Sequence, residues 1–190
     1  MTYSSRQGEN VDAWSEGCFA TLEAFFLWMQ EYGDGGTSEE EKGTVLIRGT
    51  HNITSTLTVP TDHIQFVGDG EAILLGGNAS LNFVDITGRK DITFRNITFM
   101  SLVAGCKGIV STNGVERIHV ENCQFFTTGN RFDRPIDLVG VGGNAVRSVW
   151  IKDSVFAFEE IGVSVTGVVG FQSDFGLRMG GGFLKGPGAS

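Results

Sequence analysis

The stretch ITFRNITF at residues 92–99 decides the fold, because the chain repeats its pattern twice more without gaps. The copies are IHVENCQF at residues 118–125 and VWIKDSVF at residues 149–156, and fainter copies begin at Ile64 and Phe171. Repeats of roughly 20 to 30 residues made only of short strands and turns indicate a β-solenoid. The sequence therefore predicts an all-β fold, a right-handed parallel β-helix of about six coils.

Strand alternation assigns each position of the repeat to the inside, the outside or a corner of the coil. The first apolar positions (Ile92, Ile118, Val149) and the phenylalanines (Phe99, Phe125, Phe156) point inward, and Asn96, Asn122 and Asp153 fall where a strand gives way to a turn. We expect the phenylalanines to stack, which adds about 0.5–1.5 kcal/mol per pair beyond the burial of their area. Asparagine and aspartate tolerate the left-handed turn conformation, and asparagines can bond to their copies one coil away.

Two outward columns follow from the same register. Arg95, Glu121 and Lys152 alternate in sign and predict a charge ladder between coils, while Thr93, His119 and Trp150 form the neighbouring column. For Trp150 three interpretations stay open: cover by its own loops, contact with another subunit, or a platform on which a sugar stacks.

Apolar residues recur at three- and four-residue steps before the repeats, at Phe19, Leu22, Phe25, Phe26 and Met29, and predict a helix. A β-helix exposes the edge of its first coil, and an apolar helix just before it is the natural cap. The chain is thus expected to hold an irregular segment (1–17), a capping helix and loop (18–43), the β-helix (44–175) and a glycine-rich tail (176–190).

Composition excludes several classes of function. The 190 residues carry a net charge of −8, which disfavours a nucleic-acid partner because the chain repels phosphate backbones. No apolar run reaches the roughly 18 residues of a membrane span, and the polar N-terminus lacks a signal-peptide core. The three cysteines, Cys18, Cys106 and Cys123, lack metal-ligand spacing, so we expect structural or free thiols and no metal or other cofactor.

The segment after the helix carries three further motifs, GTVLIRGTH at residues 43–51, STLTVP at 55–60 and GDG at 68–70. In this order, behind a capping helix and a glycine turn, they resemble the start of the pectate-lyase-like β-helix superfamily. The closest likeness is to the version found in bacteriophage tailspikes and fibres. The asparagine after the IxFxN strand is also a habit of that superfamily. The resemblance covers about residues 18–170 and implies the fold more strongly than an activity.

The chain departs from the superfamily where that superfamily carries its chemistry. The acidic GDGxTDD stretch is missing, and DAWSEGC stands at residues 12–18. The polygalacturonase-like motifs NTD, GDD, GHG and RIK are absent. A lyase-like aspartate cluster with a paired arginine on consecutive coils is absent as well. The predicted stack is also short for an enzyme of this kind.

The first functional hypothesis is a structural or receptor-binding spike or fibre protein of a phage particle. The resemblance implies a homotrimer that contacts other virion proteins and host surface polysaccharide. The capping helix, the short stack, the missing signal peptide and the missing catalytic motifs favour it, and its location would be the virion.

The second hypothesis is a glycan-cleaving hydrolase or lyase, and the third is a cellular β-helix binding module. Glycoside hydrolysis needs paired carboxylates about 5–9 Å apart. The catalytic candidates are Asp133 and Asp137, in the long insertion before Val149, and Glu159 and Glu160 one coil later. The candidates for glycan or subunit contact are Trp150, His119, Arg131 and Arg134. The alternative explanation of these charges is a set of loop salt bridges.

Overall fold

The computed structural model describes residues 2–4, 22–32, 42–127, 132–158, 163–167, 178–180 and 184–185. Its elements are β1 (Thr2–Ser4), α1 (Leu22–Tyr32), β2 (Gly43–Ile53), β3 (Leu57–Thr58), β4 (Ile64–Gly76), β5 (Asn82–Asp85), β6 (Lys90–Arg95), β7 (Thr98–Ser101), β8 (Lys107–Ser111), β9 (Val115–Glu121), β10 (Gln124–Thr127), β11 (Arg134–Val139), β12 (Val146–Lys152), β13 (Val155–Ala157), β14 (Val163–Thr166), β15 (Arg178–Gly180) and β16 (Leu184–Lys185). No helix among these described residues is long and apolar enough to cross a membrane.

The strands form a parallel β-helix with three faces, which confirms the predicted fold class. Face one contains the first half of β2, the first half of β4, and then β6, β9, β12 and β15. Face two contains the second halves of β2 and β4, followed by β7, β10, β13 and β16. Face three contains β3, β5, β8, β11 and β14. One strand from each face makes a rung, and we number the rungs one to five from β2 to β14.

The chain makes about four turns, so the prediction of six coils was too high. Four steps connect the equivalent positions of the five rungs, which are Gly43, Ile64, Ile92, Ile118 and Val149. The short β15 and β16, which lie in the segment expected to be a tail, extend faces one and two, but no described strand follows β14 on face three. Phe171, the last proposed repeat start, lies outside the described residues. Among the described residues of that segment, Arg178 pairs with Trp150 on the preceding rung.

The corners use left-handed backbone in two columns. Asn96, Asn122 and Asp153 have φ angles of 58°, 50° and 48° where face one ends. His63, Asp91, Arg117 and Ser148 have φ angles of 56°, 56°, 55° and 51° just before face one begins. Left-handed backbone costs about 1–2 kcal/mol for a residue with a Cβ atom, and asparagine and aspartate tolerate it best. Asn122 Nδ2 also donates to Asn96 Oδ1 at 2.8 Å, so the two corners hold each other.

Phenylalanines fill the interior in stacked columns. The rings of Phe99 and Phe125 lie 4.7 Å apart and nearly parallel, and those of Phe125 and Phe156 lie 5.0 Å apart. These three residues occupy one register position on face two, as the repeats predicted. A second column on face one stacks Phe66 on Phe94 at 5.2 Å.

Helix α1 covers the first rung. Its Phe26 ring stacks on Phe66 at 5.5 Å, because the rung-one residue in that column is the smaller Val45. The Glu23 carboxylate accepts hydrogen bonds from the Thr54 amide at 2.8 Å and from the Thr54 hydroxyl at 3.2 Å. The helix therefore both fills the end of the core and holds the loop that follows β2.

The N-terminal strand β1 pairs antiparallel with β2, with Tyr3 beside Val45. It lies within the segment that the sequence predicted to be irregular. An unpaired strand edge leaves backbone donors and acceptors without partners. The pairing with β1 supplies hydrogen-bond partners at this edge of β2.

Candidate functional site

The sequence-predicted candidates do not all fall on described residues. Arg131, Glu159 and Glu160 lie outside the described residues. Asp133 is half-buried, and its backbone amide donates to the Cys106 carbonyl at 3.0 Å. Asp137 lies on β11, on the outer side of face three between the inward Ile136 and Leu138.

Asp137 forms the centre of a charged cluster on face three. Lys107 Nζ lies 2.7 Å from Asp137 Oδ2, and Arg134 Nη1 lies 3.4 Å from the same oxygen. Burial acts to raise the pKa of Asp137, but the hydrogen bond and charge of Lys107, the charge of Arg134 and a hydrogen bond from Ser164 hold it below its usual value. The carboxylate is thus ionised and neutralised in place, which differs from the protonated carboxylic acid that glycoside hydrolysis needs as a proton donor.

His119 and Trp150 are neighbours on face one, in the register that the repeats predicted. Their ring centroids lie 4.4 Å apart with the planes at 37°, and both side chains are half-buried. Each ring covers one face of the other, so a sugar cannot stack on those two faces. The neighbouring charge ladder also forms, since Arg95 Nε donates to Glu121 Oε2 at 2.9 Å and Lys152 Nζ to Glu121 Oε1 at 3.4 Å.

A third charged column was missed from the sequence. Asp91 is completely buried, and Arg117 on the next rung donates to both of its oxygens, with Nη2 3.0 Å from Oδ2. His63 on the preceding rung places Nδ1 2.6 Å from Asp91 Oδ2. Burial acts to raise the pKa of Asp91, but the hydrogen bond and charge of Arg117, with the charges of His63 and Lys42, lower it.

This column pairs one aspartate with an arginine on the next rung, and a single buried carboxylate is not the aspartate cluster that the lyase-like pattern requires. Both residues sit one position before the aligned apolar starts, Asp91 before Ile92 and Arg117 before Ile118. Extending the repeat alignment by one residue would have revealed the column. The Asp91 carboxylate is completely buried. Its contacts with His63 and Arg117 therefore join three rungs at one corner.

A groove opens at the corner between faces one and two, because neighbouring rungs differ in length there. Val67 pairs with Arg95, and Ile73 pairs with Thr98. The corner between these pairs therefore contains residues 68–72 in rung two but only residues 96–97 in rung three. Gly70, with a φ of 74°, turns this longer loop. The loop overhangs rungs three and four and leaves a cavity of about 550 Å³ beside them, which we call the face-two groove.

The face-two groove is lined by polar amides and by an apolar strip. Six side chains of rungs three and four line it, and they are Asn96, Thr98, Met100, Asn122, Gln124 and Phe126. Thr98 is beside Gln124, and Met100 is beside Phe126, so the polar and apolar side chains form separate columns. Phe126 is 37% exposed, which is unusual for so large an apolar residue. The sequence repeats place these residues on face two but do not show the overhanging loop.

Thiols and metal ligands offer no further site in the described part of the chain. Cys106 and Cys123 are buried, and burial raises the pKa of Cys123 to about 12, so this thiol stays protonated. Cys18 lies outside the described residues. No three His, Cys, Asp or Glu side chains among the described residues group closely enough to hold a metal ion.

Comparison with known proteins found no match: no family model, no curated protein and no solved structure matches this chain.

Proposed function

We propose that this protein is a glycan-binding β-helix and that the face-two groove holds the sugar. The observation that carries the proposal is the pairing of amide side chains with an exposed aromatic ring in one open groove. Amides both donate and accept hydrogen bonds, which suits sugar hydroxyls, and the Phe126 and Met100 strip suits the apolar face of a sugar ring. Glu71 is the one charged residue among those lining the groove, so an uncharged saccharide fits best.

The setting we propose is a spike or fibre of a bacteriophage particle, where the protein binds host surface polysaccharide as a homotrimer. Support for this finer assignment comes from the motifs at residues 43–51, 55–60 and 68–70 and from the capping helix in front of them. A portal, tail or capsid gene beside the coding gene is the expected genomic context. A neighbourhood of metabolic genes would contradict it.

Glycan binding can be tested with the whole chain on an array of bacterial and host polysaccharides, followed by calorimetric titration of each hit. Phe126→Ala is expected to weaken binding about fivefold or more, a loss of roughly 1 kcal/mol. Val141→Ala is the matched control, because Val141 is 57% exposed and lies outside the groove. Equal affinity of the Phe126→Ala variant and the wild type would refute the assignment of this groove.

Glycan cleavage is the second candidate function, and the observation that favours it is the ionised Asp137 carboxylate beside Lys107 and Arg134, which can serve as the base or nucleophile of such a reaction but not as its proton donor. The measurement is release of reducing ends from every polysaccharide that binds. Asp137→Asn is expected to abolish any release. If polysaccharides bind and none of them releases reducing ends, glycan cleavage is refuted and glycan binding remains as the function.

A further inference from the structure

A second concave site lies at the opposite edge of face one, at the corner where face three leads into face one. This corner pocket has a volume of about 390 Å³ and spans rungs three to five. Its polar side chains are Arg89, Lys90, Asn113, Glu116, Asn144 and Arg147. None of these residues lines the face-two groove.

The corner pocket carries three cationic side chains and one carboxylate, in a chain whose net charge is −8. The carboxylate of Glu116 is already engaged, since Arg117 Nη1 donates to it and Lys90 Nζ lies 3.7 Å away. Arg89 Nη1 lies 3.6 Å from Asp62 Oδ1. An excess of positive charge therefore remains in one concavity of an acidic molecule.

Arg147 supplies that excess. It follows Lys90 and Glu116 in the same column, one rung further along, and its side chain is exposed. Within the described part of the chain, no carboxylate lies within ion-pair distance of Arg147. Arg147 lines the pocket, and a guanidinium can bind a planar or tetrahedral oxyanion through two parallel hydrogen bonds.

Amide groups stand beside these cations. Asn144 Nδ2 donates to Asn113 Oδ1 at 3.2 Å, which joins the corner of rung five to that of rung four. The Asn113 amide nitrogen donates to no group in the described residues and so remains a donor for a ligand. Gly114, with a φ of 64°, lets the two corners approach, because a Cβ atom there would lie 2.8 Å from the Asn144 carbonyl oxygen.

We propose that the corner pocket is an oxyanion-binding site, in which Arg147, assisted by Lys90 and the Asn113 amide, binds a carboxylate, sulfate or phosphate group of a ligand. The site is separate from the face-two groove, and its existence does not depend on whether that groove binds sugar. If the corner pocket and the face-two groove bind parts of one saccharide, that saccharide is acidic. Its charged group then lies at one edge of face one and its neutral part at the opposite edge.

The test is a titration of the ¹⁵N-labelled full chain, followed by NMR at constant ionic strength, with glucuronate, sulfate or phosphate and with glucose as the neutral match for glucuronate. Saturable shifts of the Gly114 and Gly143 amide signals are expected with at least one oxyanion and not with glucose. The preferred oxyanion identifies the charged group of the ligand. Preference for glucuronate indicates an acidic sugar, and preference for phosphate or sulfate indicates a ligand that carries a phosphate or sulfate group.

Variants assign the binding to Arg147. Arg147→Gln is expected to weaken binding on the order of tenfold, and Arg147→Lys to give an intermediate loss because the charge stays while the fork is lost. Arg95→Gln, which removes an arginine from the charge ladder outside the pocket, should bind like the wild type. The proposal is overturned if no oxyanion gives saturable shifts, if glucose gives the same shifts, or if Arg147→Gln binds as tightly as the wild type.

Discussion

Asn122 shows how a single residue serves the corner of a β-helix in two ways. Its φ of 50° lies in the left-handed region, where the backbone turns sharply enough to start the next face. Its side chain then donates to Asn96 on the preceding rung. An aspartate at the equivalent position, Asp153, keeps the backbone property but has no amide hydrogen to donate.

Replacing Asn122 with alanine is expected to destabilise the protein by about 1–2 kcal/mol, since it adds left-handed strain and removes a hydrogen bond. Asn122→Gly should cost less, because glycine removes the strain and loses only the hydrogen bond. Urea denaturation of both variants measures the difference. A glycine variant that is no more stable than the alanine variant would show that backbone strain is not the main cost.

Replacing Asp91 is expected to have a larger effect on stability than replacing Asn122, because the Asp91 charge is buried. Asp91→Asn is expected to cost about 3 kcal/mol at pH 7, since it removes the negative charge beside Arg117 and His63. The native pKa of Asp91 is lowered, so its contribution is complete above the unfolded aspartate pKa of about 3.9 and disappears as the pH falls through the native value.

The measurement is the urea midpoint of the wild type and of Asp91→Asn between pH 7 and pH values below the unfolded pKa. The stability gap between the two proteins should narrow as the pH falls. Asp69→Asn is the control, because the Asp69–Arg48 pair is exposed and should contribute less than about 1 kcal/mol at any pH. A gap that stays constant with pH would contradict the buried-pair account.

At the scale of elements, α1 caps the first rung, in the place where a further rung would otherwise pack. Four apolar side chains of the helix are buried, and they are Leu22, Phe25, Phe26 and Met29. Phe26 continues the aromatic column of face one where Val45 leaves space. The helix therefore covers the end of a core that further strands would otherwise have to cover.

Phe26→Ala is expected to destabilise the protein by about 3 kcal/mol or more, because it opens a cavity between the helix and the first rung. Leu27→Ala is the matched control on the same helix, since Leu27 is 64% exposed and should change stability by less than about 0.5 kcal/mol. Thermal and urea unfolding compare the two. Similar losses for both variants would mean that the helix does not seal the core through Phe26.

At the scale of the whole molecule, each rung contacts mainly its neighbours, so the surface is a set of columns that run the length of the stack. Charge pairs, amide ladders and grooves therefore form between residues that are one turn apart in the chain. Differences between consecutive rungs, such as the longer corner at residues 68–72, are what break the regular surface into sites.

The proposed spike assembly predicts a trimer in solution. Multi-angle light scattering of the whole chain should give three times 20.4 kDa, and the mass should persist on dilution over a tenfold range. A clean monomer at all concentrations would remove the main support for a spike or fibre, and it would leave the groove and the corner pocket as properties of a single chain.

Much of the fold could be predicted because its signals are local. The alternation in residues 92–99 and its two copies assigns Phe99, Phe125 and Phe156 to one inward column, and the structure has that register. The number of turns was less predictable, because successive rungs begin 21, 28, 26 and 31 residues apart, at positions 43, 64, 92, 118 and 149, and so show no fixed period. The role of Asp91 was missed because a lone carboxylate before an apolar strand has no sequence signal until its rung neighbours are aligned.

What the sequence by itself determined is the repeat, and with it the parallel β-helix, the inward columns, the left-handed asparagine corners and the capping helix. All of these follow from side-chain periodicity and backbone preference within a few residues. Only the tertiary structure decided the sealed Asp91–Arg117 pair, the face-two groove and the corner pocket. The physical reason is that each depends on distances between neighbouring rungs, and these are set by the relative lengths of corners that lie a full turn apart in the chain.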